Sequence, residues 1–306
     1  MAIAPATESS PSAQSAARVG GRDGQALVRR TRAQTRVRYE LLRNLVRKDL
    51  KVKYKGSTLG FAWSLANPLL LLAVYYVVFQ VILPGRIPSF AIYLMSGLLV
   101  WNAFSSAVMG ASVSVVGNSN LVKKVRFPLP VLPLSAVGFA AVHFVLQLLV
   151  LIVVVLALGH PFFGPQLLLM VPALGAALIF TVGLSMLVAA LNVRFRDTQH
   201  LLEVGLLAWF WLNPIVYDVG LVRAKMGHYA GLFWLNPMAD VVATMQRAIY
   251  KTPYAVTDGQ RQLILADPGY VWYLTHLCIT LGAGIVLLWW GRRVFRRRSA
   301  DFAEEL

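Results

Sequence analysis

Charged residues, above all acidic ones, are scarce in this 306-residue chain. Asp and Glu number 13 against 29 Lys and Arg, and charged residues make up 14% of the sequence while 58% is hydrophobic. A mean hydropathy of +0.63 excludes an ordinary soluble domain and indicates an integral membrane protein. The net charge of +16 does not indicate nucleic-acid binding, because the cations lie at the ends of apolar runs and not across one soluble face.

Several chemistries lack the residues that they need. Cys278, the single cysteine, lies in an apolar segment, which excludes a disulfide framework and a cysteine-based metal site. The phosphate-binding pattern G-x-x-x-x-G-K-[ST] is absent, so ATP hydrolysis must come from another polypeptide. The ionisable residues inside the apolar runs are His143, Glu203 and His276, with His200 and Asp218 at the ends of the fifth run, too few for an ion-coupled carrier. We interpret both histidines as packing residues, and we expect no catalytic, metal or cofactor site in this chain.

The first fifty-odd residues divide into a tail and a helix. Residues 1–35 are rich in Ala, Ser, Gly, Gln and Arg and lack an apolar signal-peptide core, so they predict a disordered cytoplasmic tail. Residues 36–56 carry apolar positions such as Leu42 and cations such as Arg47 on two faces of a 3.6-residue period. This pattern predicts an amphipathic helix at the membrane surface. No internal repeat is apparent along the chain.

Six apolar runs predict six transmembrane helices in a domain of residues 57–292. The runs cover residues 59–83, 90–116, 131–158, 167–191, 201–219 and 270–290. A further run at 231–250 carries Asp240 and Arg247, which are costly at a lipid-facing midplane. Six crossings keep 23 of the 29 Lys and Arg inside, whereas a seventh would move the Arg292–Arg298 cluster outside. We therefore predict cytoplasmic termini, a basic tail at 293–306 and an outer re-entrant or surface segment at 231–250.

Two cytoplasmic features are candidate sites. The loop 117–128 predicts a short helix, capped by Asn118 or Ser119 and ended by Pro128, on which a partner protein can push; a solvated basic turn is the alternative. Glu203 is interpreted as an interface charge that pairs with an arginine, and a transport role is the alternative.

The aromatic residues suit either interface belts or a path for sugar rings, and the sequence does not separate the two.

Four segments, in order, resemble the membrane subunit of type-2 ABC exporters for polysaccharides and teichoic acids. They are Arg47-Lys48-Asp49-Leu50-Lys51-Val52-Lys53-Tyr54 with Ser57-Thr58-Leu59-Gly60, Trp63 and Asn67-Pro68; Leu121 to Pro128 with Val131-Leu132-Pro133-Leu134; Asn192 to Asp197; and Leu235-Asn236-Pro237-Met238 with Arg247. The matching region covers about residues 40–295. Each motif alone is weak, but their ordered occurrence is specific.

The resemblance implies the type-2 exporter fold and its partners. We expect a homodimer of six-span subunits in the bacterial plasma membrane, paired with two separate ATPase subunits that hold ATP and Mg²⁺. Residues 36–55 would frame the substrate entrance, 117–128 would dock into the ATPase as a coupling helix, and 231–250 would form paired re-entrant helices at the outer gate. The implied cargo is a polyprenyl-diphosphate-linked glycan, such as O-antigen, teichoic acid or galactan, which crosses to the outer leaflet among membrane lipids.

The resemblance also implies roles for individual residues. The ATPase contacts would be Asn118, Asn120, Leu121, Lys123, Lys124 and Arg126. Clustered cations suit phosphate oxygens, so the substrate diphosphate would meet Arg47, Lys51, Lys53 and Tyr54; anchoring of the cations between Arg36 and Lys55 on anionic lipid is the alternative. The channel and gate would include Tyr75, Trp101, Trp209, Trp211, Trp234, Asn236, Pro237 and Arg247. The interface charges would be Arg196, Asp197 and Glu203.

Three rival functions are weighed against this interpretation. An ion-coupled lipid-linked sugar flippase predicts more spans and midplane charges than the sequence offers. A membrane-embedded glycosyltransferase or phosphatase needs paired carboxylates or a phosphate site near one interface, and only isolated candidates are present. An ABC exporter of drugs or small lipids stays open, although the strong 47–68 motif and the lack of a large outer domain favour polysaccharide.

Overall fold

The computed structural model describes residues 35–53, 55, 62–82, 87–124, 127–257, 260–266 and 269–306. In these ranges the chain is a helical bundle with one small antiparallel hairpin. Its elements are α1 (35–53), α2 (Trp63–Tyr76), α3 (Phe90–Ser114), α4 (Ser119–Lys124), α5 (Val131–Ala157), α6 (Met170–Arg194), α7 (Thr198–Trp211), α8 (Val219–Met226), α9 (Ala230–Phe233), α10 (Pro237–Ile249), β1 (Tyr254–Thr257), β2 (Gln260–Leu263), α11 (Tyr270–Arg298) and α12 (Phe302–Glu305).

Four of these helices are long and apolar enough to cross a membrane. They are α3, α5, α11 and α6, the last together with the 3₁₀ turn Pro165–Leu169 that leads into it. Each coincides closely with a run predicted from the sequence, because a charge-free stretch of about 20 residues can satisfy its backbone groups in lipid only as a helix. The predicted all-α class is confirmed, and the hairpin is a small local exception within the described residues.

The first and fifth predicted spans are not among these four helices. α2 has 14 residues and continues as the π-helix Val77–Ile82, and residues 56–61 and 83–86 of that region lie outside the described residues. α7 also has 14 residues, about 21 Å at 1.5 Å per residue, against about 30 Å of hydrocarbon. It ends because Nδ2 of Asn213 bonds the carbonyl of Trp209 at 2.6 Å and Pro214, which follows, has no N–H to donate. The count of six spans therefore stays a prediction.

Helices α6 and α11 touch backbone to backbone. A Cβ added at Gly183 would lie 2.6 Å from the backbone nitrogen of Leu288, and one at Gly291 would lie 2.4 Å from the carbonyl oxygen of Gly183. Small residues are what close helix packing in membranes requires, because lipid supplies no hydrophobic driving force between helices. These glycines bring α11 directly against α6.

The segment between α7 and α11 contains two capped helices and the hairpin. The carboxylate of Asp218 accepts a hydrogen bond from the backbone nitrogen of Leu221 at 2.7 Å and caps α8. Asn236 caps α10 and Pro237 occupies its first position, the combination that best starts a helix. α10 packs against α3, α6 and α11, and most of its residues are buried. In the hairpin, Tyr254 pairs with Leu263.

A separate core, the inner core, lies where the ends of α3 and α6 meet α11 and α12. It consists of Val115, Leu132, Ala189, Ala190, Val193, Phe295 and Phe302, with Leu45, Val122 and Leu306 among the residues packed on it. Phe302 of α12 is fully buried, with its ring 5.3 Å from that of Phe295. The prediction of a basic tail at 293–306 is therefore corrected: α11 continues to Arg298, and α12 folds back onto the bundle because Phe302 and Leu306 bury apolar surface there.

Candidate functional site

An aromatic cluster occupies the centre of the bundle. The ring of Trp209 on α7 lies 6.2 Å from Trp101 and 5.3 Å from Phe104, both on α3, and 6.2 Å from Phe180 on α6. Trp101 and Phe104 are buried, and Trp209 is half-buried. Edge-to-face contacts of this kind add about 0.5–1.5 kcal/mol beyond burial. The structure thus brings together Trp101 and Trp209, two of the predicted channel residues.

A polar network, the asparagine node, adjoins this cluster and consists of Trp209, Asn213 and Asn236. Oδ1 of Asn236 accepts a hydrogen bond from Nε1 of Trp209 at 2.8 Å and a second from the backbone nitrogen of Met238 at 3.1 Å. Nδ2 of Asn236 donates to Oδ1 of Asn213 at 3.1 Å and to the carbonyl of Leu212 at 3.0 Å. The node ties the end of α7 to the start of α10.

The sequence signal for this node was a short repeat that the sequence analysis missed. The pentapeptide Phe-Trp-Leu-Asn-Pro occurs at Phe210–Pro214 and again at Phe233–Pro237. Within each copy the Phe and Trp rings pack edge to face, at 5.4 Å in the first and 5.2 Å in the second. The statement that no repeat is apparent is therefore wrong at this scale. The fold brings the Asn of one copy into contact with the Asn of the other.

The carbonyl of Pro214 is a second polar anchor beside the node. It accepts hydrogen bonds from the hydroxyl of Tyr93 at 3.0 Å and from Nε2 of Gln246 at 2.7 Å. Tyr93 and Gln246 are fully buried. At the other end of α10 the hydroxyl of Tyr250 donates to the carbonyl of Pro88 at 2.7 Å. Tyr93 and Gln246 were not predicted, because nothing in the sequence of α3 or α10 marks them. Their role arises only when the fold places both beside the carbonyl of Pro214.

Asp240 links α10 to α11 in a buried setting. Its Oδ2 accepts a hydrogen bond from the hydroxyl of Thr280 at 3.0 Å, and Asp240 is 3% exposed. Its Oδ1 has no hydrogen-bond partner among the described residues. From the sequence alone, Asp240 indicates only that residues 231–250 do not cross the membrane. The structure shows how the polar group is accommodated, by a threonine hydroxyl that the neighbouring helix supplies.

The predicted coupling helix corresponds to α4, which follows α3. Nδ2 of Asn118 donates to the carbonyl of Ser114 at 2.8 Å, and its Oδ1 accepts from Nζ of Lys48 on α1 at 3.2 Å. The expected cap by Asn118 is therefore corrected, because its oxygen bonds Lys48 instead. A 3₁₀ turn, Val116–Asn118, leads into α4. Asn120, Lys123 and Lys124 are exposed, Leu121 is half-buried, and Arg126 lies outside the described residues.

The predicted diphosphate cations on α1 have different surroundings. Arg47 and Lys51 are exposed, whereas Nζ of Lys53 lies 3.5 Å from Nε2 of His143 and 5.3 Å from the ring centre of Phe139 on α5. Partial burial lowers the pKa of the Lys53 ammonium below its ordinary value. Tyr54 lies outside the described residues. All three cations are exposed, and Lys53 differs from Arg47 and Lys51 in contacting His143 and Phe139 on α5.

The predicted interface charges do not form the expected pair. Oε1 of Glu203 accepts a hydrogen bond from Gln199 at 3.3 Å, and its Oε2 lies 3.7 Å from Nδ1 of His200. Within the described part of the chain its ion-pair contact is this histidine, so the pairing with an arginine is wrong. Arg196 and Asp197 are exposed, and Asp197 makes no side-chain cap at α7. One helical turn separates Gln199 from Glu203, which makes this local contact the easier one.

The remaining predicted gate residues make separate contacts. Tyr75 packs on Phe79 of the π-helix, and Trp211 is 58% exposed. The ring of Trp234 lies 4.7 Å from that of Trp272 on α11. Arg247 donates a hydrogen bond to the carbonyl of Lys251. Of the predicted gate residues, Trp209, Asn236 and Pro237 meet at one point, while these four do not.

Comparisons with known proteins agree with this architecture. The sequence pattern of the family described as ABC-2 type transporter matches residues 40–250. The O-antigen export system permease protein RfbA of Myxococcus xanthus is 33% identical over 271 residues, which cover 87% of this chain and 95% of that protein. Its namesake from Klebsiella pneumoniae is 30% identical over 271 residues, covering 88% and 95%. The polysialic acid transport protein KpsM of Escherichia coli is 22% identical over 219 residues, covering 69% and 81%. The chain therefore belongs to the ABC-2 type transporter family of membrane proteins.

Proposed function

We propose that this chain is the permease subunit of an ATP-driven exporter of a bacterial surface polysaccharide. The observation that carries the proposal is the match, over 95% of their length, to two relatives named O-antigen export permeases. The likeness to a polysialic acid transport protein supports the same cargo class. The finer proposal is that the cargo is a glycan on a polyprenyl diphosphate, of the O-antigen, teichoic-acid or galactan kind, and that it crosses the plasma membrane outward.

The proposed partners are a second copy of this chain and two ATPase subunits that bind ATP and Mg²⁺. The permease contributes no covalent chemistry and holds no cofactor of its own in this scheme. Its exposed Lys123 and Lys124, on the cytoplasmic helix α4, support docking of an ATPase there. The Lys48 to Asn118 hydrogen bond and the packing of Leu45 and Val122 on the inner core link α4 to α1. A displacement of α4 would therefore be passed on to the helix proposed to frame the substrate entrance.

The proposed outer gate is the re-entrant segment that ends in α10. Asn236, the N-cap of α10, accepts a hydrogen bond from Trp209 beside the central aromatic cluster. At the other end of α10, the hydroxyl of Tyr250 donates to the carbonyl of Pro88, which precedes α3. Such contacts support a helix that rises from the bundle centre to the outer surface. Both termini would be cytoplasmic, with six crossings completed by α2 and by α7 with the turns that follow it.

The test is reconstitution with the ATPase encoded beside this chain in its genome. The two subunits should co-purify, and a lipid-linked glycan from the same cells should raise ATP hydrolysis in nanodiscs. Depletion of the chain should reduce polysaccharide at the cell surface and accumulate the lipid-linked form inside. An unchanged surface polysaccharide after depletion would contradict the proposal, as would transport in vesicles that contain this chain alone.

The docking site has its own matched variants. Lys123→Glu with Lys124→Glu should weaken ATPase co-purification about tenfold or more, because two attractive contacts become repulsive. Arg296→Glu with Arg297→Glu makes the same charge change at another exposed cytoplasmic position and should leave co-purification unchanged. Equal loss in both double variants would assign the effect to net charge and not to α4.

A further inference from the structure

A cavity of about 440 Å³ opens between α8, α9, the hairpin and the start of α11. Sites for small ligands commonly have volumes of about 300–1,000 Å³. Two of its walls are the indole rings of Trp234 and Trp272, which meet at 4.7 Å and 88°. Tyr254 of β1 and Arg223 of α8 also line it. The cavity therefore combines three aromatic side chains with one guanidinium group.

One wall of the cavity is built from small residues. Ala230 and Gly231 of α9 lie there, and a Cβ added at Gly231 would meet no atom within 4 Å. The open volume is therefore directly in front of Gly231. Trp234 lies half-buried three residues further on, in the second Phe-Trp-Leu-Asn-Pro pentapeptide and two residues before Asn236 of the asparagine node. The cavity thus adjoins the proposed outer gate along the chain.

The lining selects one class of ligand. Aromatic faces bind the apolar C–H faces of a ligand that also carries polar groups, and a guanidinium supplies several N–H donors in a fixed fork. A sugar ring presents apolar C–H faces and a rim of hydroxyl groups, so it satisfies both. An acyl chain would use only the aromatic walls and leave the N–H groups of the exposed Arg223 to water. A metal ion is not favoured, because the cavity lining includes no carboxylate or histidine among the described residues.

We propose that this cavity binds one or two sugar rings of the exported glycan as the glycan emerges at the outer gate. The inference rests on the proposed function, since it takes the polysaccharide as cargo and adds an outer binding site to it. Trp272 and Trp234 stack against the rings, and Arg223 donates hydrogen bonds to their hydroxyl or acidic groups. A site there holds the emerging glycan and opposes its backward slip into the channel.

The test measures binding of short oligosaccharides to the full chain in nanodiscs by saturation-transfer difference NMR. The probe is a set of oligosaccharides released by mild acid from the surface polysaccharide of the source cells. The wild-type chain should transfer saturation to ring protons. Gly231→Leu fills the cavity without removing any contact and should abolish the transfer. Trp272→Ala should weaken binding about 3- to 10-fold, the size of a lost aromatic contact.

Gly282→Leu is the matched control, because a Cβ at Gly282 on α11 also meets no atom within 4 Å and lies away from the cavity lining. It should bind like the wild-type chain. No transfer to the wild type, or equal transfer to Gly231→Leu, would overturn the site. Depletion of the chain tests the proposed function separately: surface polysaccharide that persists after depletion would overturn that function whatever the oligosaccharides do.

Discussion

Asn236 and Asn213 are 23 positions apart, and Nδ2 of the first donates a hydrogen bond to Oδ1 of the second at 3.1 Å. Each precedes a proline, which has no backbone N–H, and each follows the same Phe-Trp-Leu sequence. Asn213 lies two residues after the last residue of α7, and Asn236 is the N-cap of α10. In an apolar bundle these amide groups would be costly if left unpaired, so they satisfy one another. The pairing fixes where the end of one helix meets the start of the next.

Asn236→Ala should therefore lower the free energy of unfolding by about 2–3 kcal/mol. The substitution removes the cap of α10, about 1 kcal/mol, and leaves Nε1 of Trp209 without its acceptor, a further 1–2 kcal/mol. SDS titration of the purified chain in mixed micelles measures the change. Asn120→Ala, on the exposed face of α4, is the control and should change the value by less than about 0.5 kcal/mol.

A double-mutant cycle with Asn213→Ala isolates the contact between the two asparagines. The two substitutions should couple by about 0.5–1.5 kcal/mol, the usual range for residues in one hydrogen-bond network. Strictly additive effects would mean that the node does not act as a unit. The idea that the two pentapeptides function as a pair would then be abandoned.

The glycines at the α6 and α11 crossing give a second stability prediction. Gly183→Ala forces a Cβ to within 2.6 Å of the backbone of Leu288, so the helices must separate at a cost of about 1–3 kcal/mol. Gly175→Ala on the same helix meets no atom within 4 Å and should be neutral or stabilise by up to about 1 kcal/mol, from helix propensity. The same SDS titration compares them. Equal effects of the two substitutions would rule out close backbone packing as the reason for glycine at 183.

Prediction from sequence succeeded where a single helix decides the outcome. The run at 131–158 is charge-free, and the structure has α5 at Val131–Ala157. Such a run can be recognised without knowing its neighbours. By contrast, the node, the Asp240 to Thr280 hydrogen bond and the role of Gly183 each depend on a residue of another element. No periodicity within one segment encodes such a contact.

Two errors have specific physical causes. α7 was expected to run to about residue 219, but the side chain of Asn213 bonds the carbonyl of Trp209 and Pro214 interrupts the hydrogen-bond pattern. The segment 293–306 was predicted to be a basic tail because of its arginines. Its buried residues are Phe295 and Phe302, whose positions became meaningful only when the inner core placed α6 and α11 side by side. Local composition predicts exposure well for charges and poorly for isolated aromatics.

The proposed diphosphate site separates the three candidate cations of α1. Arg47→Ala and Lys51→Ala should each weaken stimulation of the reconstituted ATPase by lipid-linked glycan, about 3- to 10-fold in half-saturating concentration, because each loses a charge-assisted contact. Lys53→Met should have a smaller effect, since the ammonium of Lys53 contacts His143 and Phe139 on α5 and methionine keeps the packing.

Arg36→Ala is the control for that series, because Arg36 is paired with Glu40 at 2.9 Å near the other end of α1. Its half-saturating concentration should match the wild type. If Lys53→Met proves the most damaging of the four, the entrance lies against α5 and the assignment to Arg47 and Lys51 is wrong.

Membrane orientation can be measured with single cysteines. Cys278→Ser removes the one native thiol, and cysteines are then introduced singly at two exposed positions, His228 in the outer segment and Ala300 after α11. A membrane-impermeant maleimide added to intact cells should label His228→Cys. It should label Ala300→Cys only after permeabilisation, because 23 of the 29 Lys and Arg then lie on the cytoplasmic side. Labelling of Ala300→Cys from outside would require an odd number of crossings, and the 231–250 segment would then have to span the membrane.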